Sequence, residues 1–266
     1  MGQEGAVSDY VVVGAGSAGS VVVRRLLDAG HSVHLIEAGP VDTSPAIHSP
    51  QGWPALLGGP LDWGVFTTPQ RHANDRRLFW PRGRVLGGSS SLNGMIYIRG
   101  HASDCDGWAQ ACGDRGWAWD NVLALFKRSE AHELGATEYH GVGGPLPVST
   151  IGTPHPLSVA FVDGAMANGH RLIEDFNADE MVGVGYNHTT TRGGQRMSAW
   201  TSFVAPVLDH PDLTVSTGAL VHRIVVERGC AVGVEYSHDG GPPRRAYADS
   251  EVVLCAGCWV HQRLCC

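Results

Sequence analysis

The sequence contains no apolar stretch of the roughly 18 to 20 residues that a membrane-spanning helix requires. Fewer than ten residues precede the first predicted strand, too few for the charged, apolar and cleavage regions of a secretory signal peptide. With 43% hydrophobic and 17% charged residues, the composition is typical of a soluble globular protein. We therefore expect a cytoplasmic protein without a membrane span.

Concentrated positive charge is also missing from the sequence. No run of Lys and Arg is longer than a pair, and the formal net charge is −7. Proteins that bind nucleic acid usually carry a basic patch or stripe. We therefore expect no nucleic-acid partner.

Cysteine is scarce, and its seven residues lie mostly in the last third of the chain. An odd number without regular spacing does not form a disulfide framework and favours a reducing compartment. Cys255 and Cys258 form a C-x-x-C pair, but Cys255 ends an apolar run and no second spaced pair follows. The pattern predicts buried or incidental thiols rather than zinc ligands.

Several other catalytic and metal-binding patterns are absent. The 14 histidines form no H-x-x-x-H or H-E-x-x-H pattern, and Ser89, Ser90 and Ser91 do not form G-x-S-x-G. We predict no metal site and no esterase nucleophile, and we expect most of the eight tryptophans to lie in the core. The histidines interpreted as surface or hydrogen-bonded residues include His31, His34, His132, His140, His155, His170 and His188.

Glycine is abundant, with 36 residues in 266, and its first cluster lies between two predicted strands. Gly14, Gly16 and Gly19 form G-x-G-x-x-G between a strand at residues 10–13 and a helix over residues 17–29. A second strand follows at residues 32–37. This length and order predict a right-handed βαβ unit that binds a dinucleotide.

Each residue type in this pattern has a physical task. The three glycines allow a tight turn, close approach of the pyrophosphate and close packing of helix on strand. The first amides of the helix, at Ser17 and Ala18, point at the phosphates. Glu37 ends the second strand, near the expected position for an acid that binds a ribose hydroxyl. The spacing does not distinguish NAD from FAD.

The remaining chain is less regular. Residues 40–77 show no sustained period and suggest a lid-like excursion. Residues 80–95 (W-P-R-G-R-V-L-G-G-S-S-S-L-N-G-M) are too rich in Gly and Ser for a regular element, so they form either a surface loop or a backbone surface against a ligand. Helices are predicted over residues 119–134 and 158–168, and an antiparallel meander is predicted from strands at residues 213–217, 220–227, 231–237 and 246–255.

Three segments together resemble the glucose-methanol-choline (GMC) flavoprotein oxidoreductases. They are D-Y-V-V-V-G-A-G-S-A-G-S with L-I-E-A-G, then G-R-V-L-G-G-S-S-S-L-N-G-M, and E-V-V-L-C-A-G near the end. The resemblance implies an α/β fold: a Rossmann-like FAD-binding domain with the antiparallel meander, and the beginning of an incomplete α+β substrate domain. The implied layout assigns residues 1–150 and 211–266 to the FAD domain and residues 151–210 to the substrate domain.

The resemblance also implies the cofactor and its ligands. FAD should be non-covalent, because Leu92 stands where some family members attach it through histidine. The substrate would be a small alcohol, oxidised at a CH–OH group; the oligomeric state is left open. The expected cofactor-binding residues are Gly14, Gly16, Ser17, Ala18, Gly19, Glu37, Ala38, Arg84, Val85, Gly87, Gly88, Ser89, Asn93, Gly94, Met95, Val221, Ala256 and Gly257.

The sequence departs from the family pattern after Gly257, where C-W-V-H-Q-R-L-C-C replaces the usual small-residue helix start. We expect a truncated or frameshifted chain whose catalytic histidine and its His/Asn partner lie beyond its end, so no catalytic residue is predicted here. Two alternatives stay open: a non-catalytic remnant that binds FAD or serves only in interaction, and an NAD-dependent dehydrogenase.

Overall fold

The computed structural model describes residues 6–257 and Leu264. Within residues 6–257 the strands are β1 (Ala6–Val13), β2 (Val33–Ile36), β3 (Val65–Phe66), β4 (Phe79–Trp80), β5 (Ile96–Tyr97), β6 (Glu130–His132), β7 (Leu146–Val148), β8 (His188–Thr189), β9 (Thr191–Arg192), β10 (Gln195–Arg196), β11 (Leu213–Ser216), β12 (Ala219–Glu227), β13 (Cys230–His238) and β14 (Arg244–Leu254).

The α-helices in the same residues are α1 (Ser17–Asp28), α2 (Pro45–His48), α3 (Trp53–Leu56), α4 (Ala102–Cys112), α5 (Trp119–Ser129) and α6 (Pro156–Ala167). A π-helical turn covers Trp200–Val204, and 3₁₀ turns cover Pro50–Gly52, Arg71–Ala73, Gly88–Ser91, Arg115–Trp117 and Ala205–Val207. None of the helices in the described residues is both long and apolar enough to cross a bilayer.

The chain divides into two compact units. The first contains residues 6–94 and the described residues from 196 onward, and the second is Met95–Gln195. The predicted limits at residues 150 and 210, which follow from the family resemblance, differ from these bounds. The assignment of residues 151–210 to a substrate domain stays a prediction.

A six-stranded sheet forms the centre of the first unit, with the strand order β11-β2-β1-β14-β13-β12. The neighbouring strands β11, β2, β1 and β14 are parallel to one another. Strands β14, β13 and β12 continue the sheet as an antiparallel meander. Val11, Val12 and all four residues of β2 are buried, as expected for strands covered on both faces. The predicted α/β class with a Rossmann-like sheet is confirmed.

One strand of the predicted meander lies elsewhere. The strand predicted at residues 213–217 is β11, which pairs in parallel with β2 at the opposite edge of the sheet from β12. Its link to β12 has the Ser, Thr and Gly composition of a hairpin turn. The amide of Gly218 bonds to the Gly39 carbonyl and that of Ala219 to the Glu37 carbonyl, so the link crosses the end of β2 instead of reversing.

Helix α1 follows the prediction closely. Its buried residues include Gly19, Val23 and Leu27, which lie on one face because they are four positions apart. Gly30 has φ +82°, a conformation that suits glycine at the end of a helix. The helix therefore buries one face, and Gly30 follows its last turn.

The second unit, Met95–Gln195, combines helices with short strand pairs. Strands β5 and β8 pair antiparallel, and β6 and β7 pair in parallel. Helix α4, which sequence analysis missed, starts with a capping box between His101 and Asp104. Helix α5 ends at Ser129, short of the predicted residue 134, because Glu130 begins β6.

The predicted core role is wrong for four of the seven tryptophans that the structure describes, because Trp53, Trp80, Trp108 and Trp117 are exposed. The exposed fractions of Trp108 and Trp117 are 55% and 50%, and their rings pack edge to face with each other. Cys105, Cys112, Cys230 and Cys255 are free thiols. Cys258, Cys265 and Cys266 lie outside the described residues.

Candidate functional site

A cavity of about 380 Å³ opens in the first unit, at the carboxyl ends of β1, β2 and β14 and the start of α1. This is the position at which parallel α/β sheets bind ligands. Its volume lies in the range of small-molecule sites. The cavity is lined by Val13, Gly14, Gly16, Ser17, Ala18, Ile36, Glu37, Ala38, Trp63, Arg82, Gly83, Gly88, Ser89, Ala219, Leu220, Val221, Leu254, Cys255, Ala256, Gly257 and Leu264.

Two glycines of the first motif meet different demands. A Cβ atom at Gly19 would lie 1.9 Å from the carbonyl oxygen of Gly14, so the protein itself requires glycine there. A Cβ at Gly16 would meet only the Cα of Gly88, at 3.9 Å, and the φ of Gly16 is an ordinary −75°. Since Gly16 lines the cavity, its bare backbone leaves a cradle that a ligand can enter.

Glu37 is buried at the end of β2, with an exposed fraction of 6%. Its Oε2 accepts a 2.9 Å hydrogen bond from the Ala15 amide, and its Oε1 accepts one of 2.8 Å from the Gly39 amide. Burial raises the pKa of this carboxyl group and outweighs those hydrogen bonds and the positive charge of Arg84, which favour the ionised form. Glu37 lines the cavity, and its carboxyl group also holds the turn.

The Gly-Ser loop, which we define as residues 87–93, lies directly against the first motif. The Gly87 amide donates a 2.9 Å hydrogen bond to the Ala15 carbonyl. Gly88 has φ +53°, and a Cβ there would lie 2.8 Å from the Cα of Gly16. Backbone contact between the two glycine-rich segments therefore depends on glycine in the loop.

Serine side chains hold the loop in shape. Ser90 Oγ donates to the Gly87 carbonyl at 2.6 Å and accepts from the Ala199 amide at 2.9 Å. Ser91 Oγ donates to the Leu86 carbonyl at 2.7 Å. The loop is thus an ordered structure with its own hydrogen bonds, rather than the plain surface loop that the composition left open.

The structure brings many of the predicted cofactor-binding residues to one cavity. Those that line it are Gly14, Gly16, Ser17, Ala18, Glu37, Ala38, Gly88, Ser89, Val221, Ala256 and Gly257. Val221 reaches it from β12, far away in the sequence. A ligand role for these residues stays a prediction.

Other predicted residues lie outside the cavity lining. Val85 is fully buried in a core cluster with Ile47, Leu56 and Leu92, and Met95 belongs to the second unit. Gly19 lies beneath the turn, and the Arg84 guanidinium lies 5.1 Å from the Trp63 ring. In the loop, the Gly87 amide is hydrogen-bonded to the Ala15 carbonyl and Asn93 to Arg196. Gly94 directly follows the loop. Their predicted role likewise stays a prediction.

Sequence analysis missed several residues of the cavity wall. Trp63 comes from the irregular segment, Arg82 from the Gly- and Ser-rich residues 80–95, and Leu220 and Cys255 from strand ends. No short motif marks Trp63. Leu220 and Cys255 had one available signal, since each adjoins a predicted site residue.

A second group of residues is brought together within Met95–Gln195. His132, His140 and His188 are buried, and one ring nitrogen from each lies within 4.8 Å of the others. His132 Nε2 and His188 Nδ1 are 3.1 Å apart, and the His132 and His140 rings stack with centroids 4.0 Å apart. The chain separates these residues too widely for a sequence motif. Both ring nitrogens of His140 bond to carboxylates, so hydrogen bonds account for this group, and the prediction of no metal site stays untested.

Charge balance explains how this histidine group is buried. His140 donates to Glu130 at 3.1 Å and to Asp175 at 2.6 Å, and Glu130 also pairs with Arg99 at 2.7 Å. Burial opposes charge on His140, but its two carboxylate partners outweigh burial and raise its pKa to about 9. Burial likewise opposes ionisation of Asp175, yet its bonds to His140 and the Asn177 amide lower its pKa to about 2.

The amino-acid sequence is similar to one protein family over almost its whole length. The family model described as GMC oxidoreductase matches residues 8–262. An alcohol dehydrogenase [acceptor] of Pseudomonas putida is 43% identical over 253 residues, covering 94% of this chain and 46% of that protein. The mitochondrial choline dehydrogenase of Homo sapiens is 44% identical over 257 residues, covering 93% and 43%.

Solved structures give the same result. The crystal structure of pyridoxine 4-oxidase from Mesorbium loti superposes with a TM-score of 0.88 at 40% identity, covering 94% of this chain and 49% of that one. An FAD-dependent oxidoreductase from Chaetomium thermophilum superposes with a TM-score of 0.85 at 28% identity, covering 94% and 45%. The chain spans about half the length of these relatives.

Proposed function

Because the chain belongs to the GMC oxidoreductase family, we propose that its first unit binds FAD in the cavity at the ends of β1, β2 and β14. The observation that carries this proposal is the bare backbone at Gly16, which faces the cavity although the protein itself leaves room for a Cβ there. A pyrophosphate needs that space together with the amides at the start of α1.

The cavity wall supplies the remaining contacts for the adenosine half of FAD. The amides of Ser17 and Ala18 face the phosphates, and the Glu37 carboxylate accepts hydrogen bonds from the ribose. The wall near Val221 is apolar and receives the adenine. Bound FAD supplies the hydride acceptor, and the residues of this chain hold and orient it.

The flavin half extends along the Gly-Ser loop. Besides the loop glycines, its proposed neighbours in the first unit include Val85, Asn93 and Gly94. Attachment is non-covalent in this proposal, because Leu92 carries no nucleophilic atom.

The activity of the whole protein follows the family. We propose oxidation of a CH–OH group of a small alcohol, with hydride passing to the flavin. Residues 151–210 are part of the substrate domain in this proposal, and the protein is cytoplasmic. The relatives named above, an alcohol dehydrogenase and a choline dehydrogenase among them, support this substrate class.

A cofactor-binding experiment tests the proposal. We expect the purified chain to show flavin absorption bands at roughly 370 and 450 nm, or to acquire them with added FAD. FAD should also raise the midpoint of thermal unfolding, because a ligand that binds the native state stabilises it. Stabilisation by NAD alone would favour the dehydrogenase alternative, and stabilisation by neither cofactor would contradict a dinucleotide site.

A further inference from the structure

Arg196 is a buried cation beside the Gly-Ser loop. Its exposed fraction is 2%, and burial lowers the pKa of its guanidinium to about 10, which keeps it protonated at neutral pH. None of the ion pairs formed by the described residues includes Arg196. A buried charge without a counter-ion is costly, and the hydrogen bonds that Arg196 makes through Nε and Nη1 offset part of that cost.

Those hydrogen bonds connect the loop to a fixed point in the core. Arg196 Nε donates to the Ile47 carbonyl at 2.8 Å, while Nη1 donates to the Ser90 carbonyl at 3.1 Å and to Asn93 Oδ1 at 2.9 Å. Ile47 is 1% exposed and packs with Val85 and Leu92. One planar group therefore joins both the middle and the end of the loop to a rigid anchor.

Arginine suits this position better than lysine would. The guanidinium presents its donors in a fixed fork, whereas a lysine ammonium is a point charge on a flexible stem. A lysine at residue 196 would keep the charge but could not span acceptors from α2, Ser90 and Asn93 with the same geometry.

We propose that Arg196 is the positioning residue of the Gly-Ser loop, fixing Ser90 and Asn93 so that the loop backbone keeps the shape that receives the flavin half of FAD. The inference rests on the proposed function, because the loop meets flavin only if FAD binds here. Arg196 acts through the loop and is not itself a catalytic residue.

The test compares Arg196→Met and Arg196→Lys with the control Arg244→Met, which changes an exposed arginine at the start of β14. For each purified chain, the FAD dissociation constant and the visible circular dichroism of the bound flavin are measured. We expect Arg196→Met to weaken FAD binding about tenfold or more, because three acceptors lose their donor. Arg196→Lys should fall between Arg196→Met and wild type, and the control should match wild type.

The flavin spectrum separates positioning from simple loss of fold, because it reports the surroundings of the bound ring. An altered spectrum in FAD-saturated Arg196→Met, with partial recovery in Arg196→Lys, supports positioning. A wild-type chain that binds no FAD defeats the proposed function. A wild-type chain that binds FAD, with Arg196→Met equal to the control in affinity and spectrum, overturns this inference alone.

A second pair of variants decides the matter if Arg196→Met does not fold. Asn93→Ala removes the side-chain acceptor on the loop and leaves the bonds of Arg196 to the carbonyls of Ile47 and Ser90 in place. Asn93→Ala is combined with Arg196→Lys, and the effects on FAD affinity are compared. Non-additive effects support the coupling of the two side chains, and additive effects overturn it.

Discussion

The amide of Ala15 donates a 2.9 Å hydrogen bond to Oε2 of Glu37, so the carboxylate at the end of β2 holds the turn that starts α1. The other carboxylate oxygen is bonded to the Gly39 amide at 2.8 Å. Glu37 was predicted only as a ribose ligand. Because both of its oxygens already accept backbone hydrogen bonds, it is also a structural part of the site.

This dual position predicts a stability effect that a simple ligand residue would not show. In Glu37→Gln, one backbone amide loses its acceptor and faces the NH₂ group, so we expect the free energy of unfolding to fall by about 1–3 kcal/mol. FAD affinity should fall as well. Urea unfolding of the cofactor-free chain and FAD titration measure the two effects. Glu227→Gln, which changes an exposed residue at the end of β12, is the control. A Glu37→Gln chain as stable as this control would show that the hydrogen bonds from the two backbone amides contribute little to stability.

Trp63 gives a test of the cavity wall that the sequence did not reveal. Its indole lines the cavity, and the Arg84 guanidinium lies 5.1 Å from its ring. We expect Trp63→Ala to weaken FAD binding about tenfold, because a large apolar contact is lost. Trp108→Ala, which changes a tryptophan that is 55% exposed, is the matched control. Equal dissociation constants for the two variants would remove Trp63 from the proposed site.

Local rules explain why the first βαβ unit could be predicted from the sequence. Val11 to Gly19 combine a buried strand, a glycine turn and a helix start, and each of these has a signature within a few residues. The position of β11 could not be predicted in the same way. Its pairing with β2 depends on which strand edge is free in the folded sheet, and the turn residues after Ser216 suit a hairpin equally well.

Residues of the site could likewise be predicted only where they belong to a local sequence pattern. Gly14, Gly16 and Glu37 belong to one local pattern, whereas Trp63 reaches the cavity from an irregular segment without a period. The His132, His140 and His188 group escaped prediction because tertiary folding, rather than a helical repeat, brings its members together.

The pKa values around His140 predict how stability depends on pH. The His140 pKa is raised from 6.5 to about 9 in the folded protein. Its stabilising contribution is therefore complete below pH 6.5 and is lost as the pH rises through about 9. Relative to His140→Gln, the wild-type free energy of unfolding should fall by about 1–3 kcal/mol between pH 6 and pH 9.5.

The window above pH 6.5 isolates His140 from its neighbours. Burial lowers the pKa values of His132 and His188, so both stay neutral there. The control is His170→Gln, which changes an exposed histidine. Denaturant unfolding at several pH values provides the measurement. A parallel pH dependence in wild type and His140→Gln would mean that His140 gains no charge-dependent stability from Glu130 and Asp175.

Gly16 and Gly19 of the first motif allow the stability of the fold and the binding of the ligand to be tested separately. In Gly19→Ala the new Cβ would lie 1.9 Å from the Gly14 carbonyl oxygen. Because both the helix and the turn meet here through their backbones, neither can move away without a large cost in free energy. We expect a loss of several kcal/mol in the free energy of unfolding, in the upper range of about 3–5 kcal/mol for single substitutions. In Gly16→Ala the nearest atom is 3.9 Å away and φ is −75°, so the cofactor-free chain should keep its wild-type stability.

Although Gly16→Ala should leave the stability of the cofactor-free chain unchanged, it should weaken FAD binding. The added methyl group occupies the space that the pyrophosphate needs, so we expect FAD affinity to fall at least about tenfold, and further in Gly16→Val. Thermal unfolding of the cofactor-free chains and FAD titration of Gly16→Ala supply the comparison. Wild-type affinity in Gly16→Val would place the phosphates elsewhere, and a destabilised cofactor-free Gly16→Ala would mean that the fold, rather than the ligand, requires this glycine.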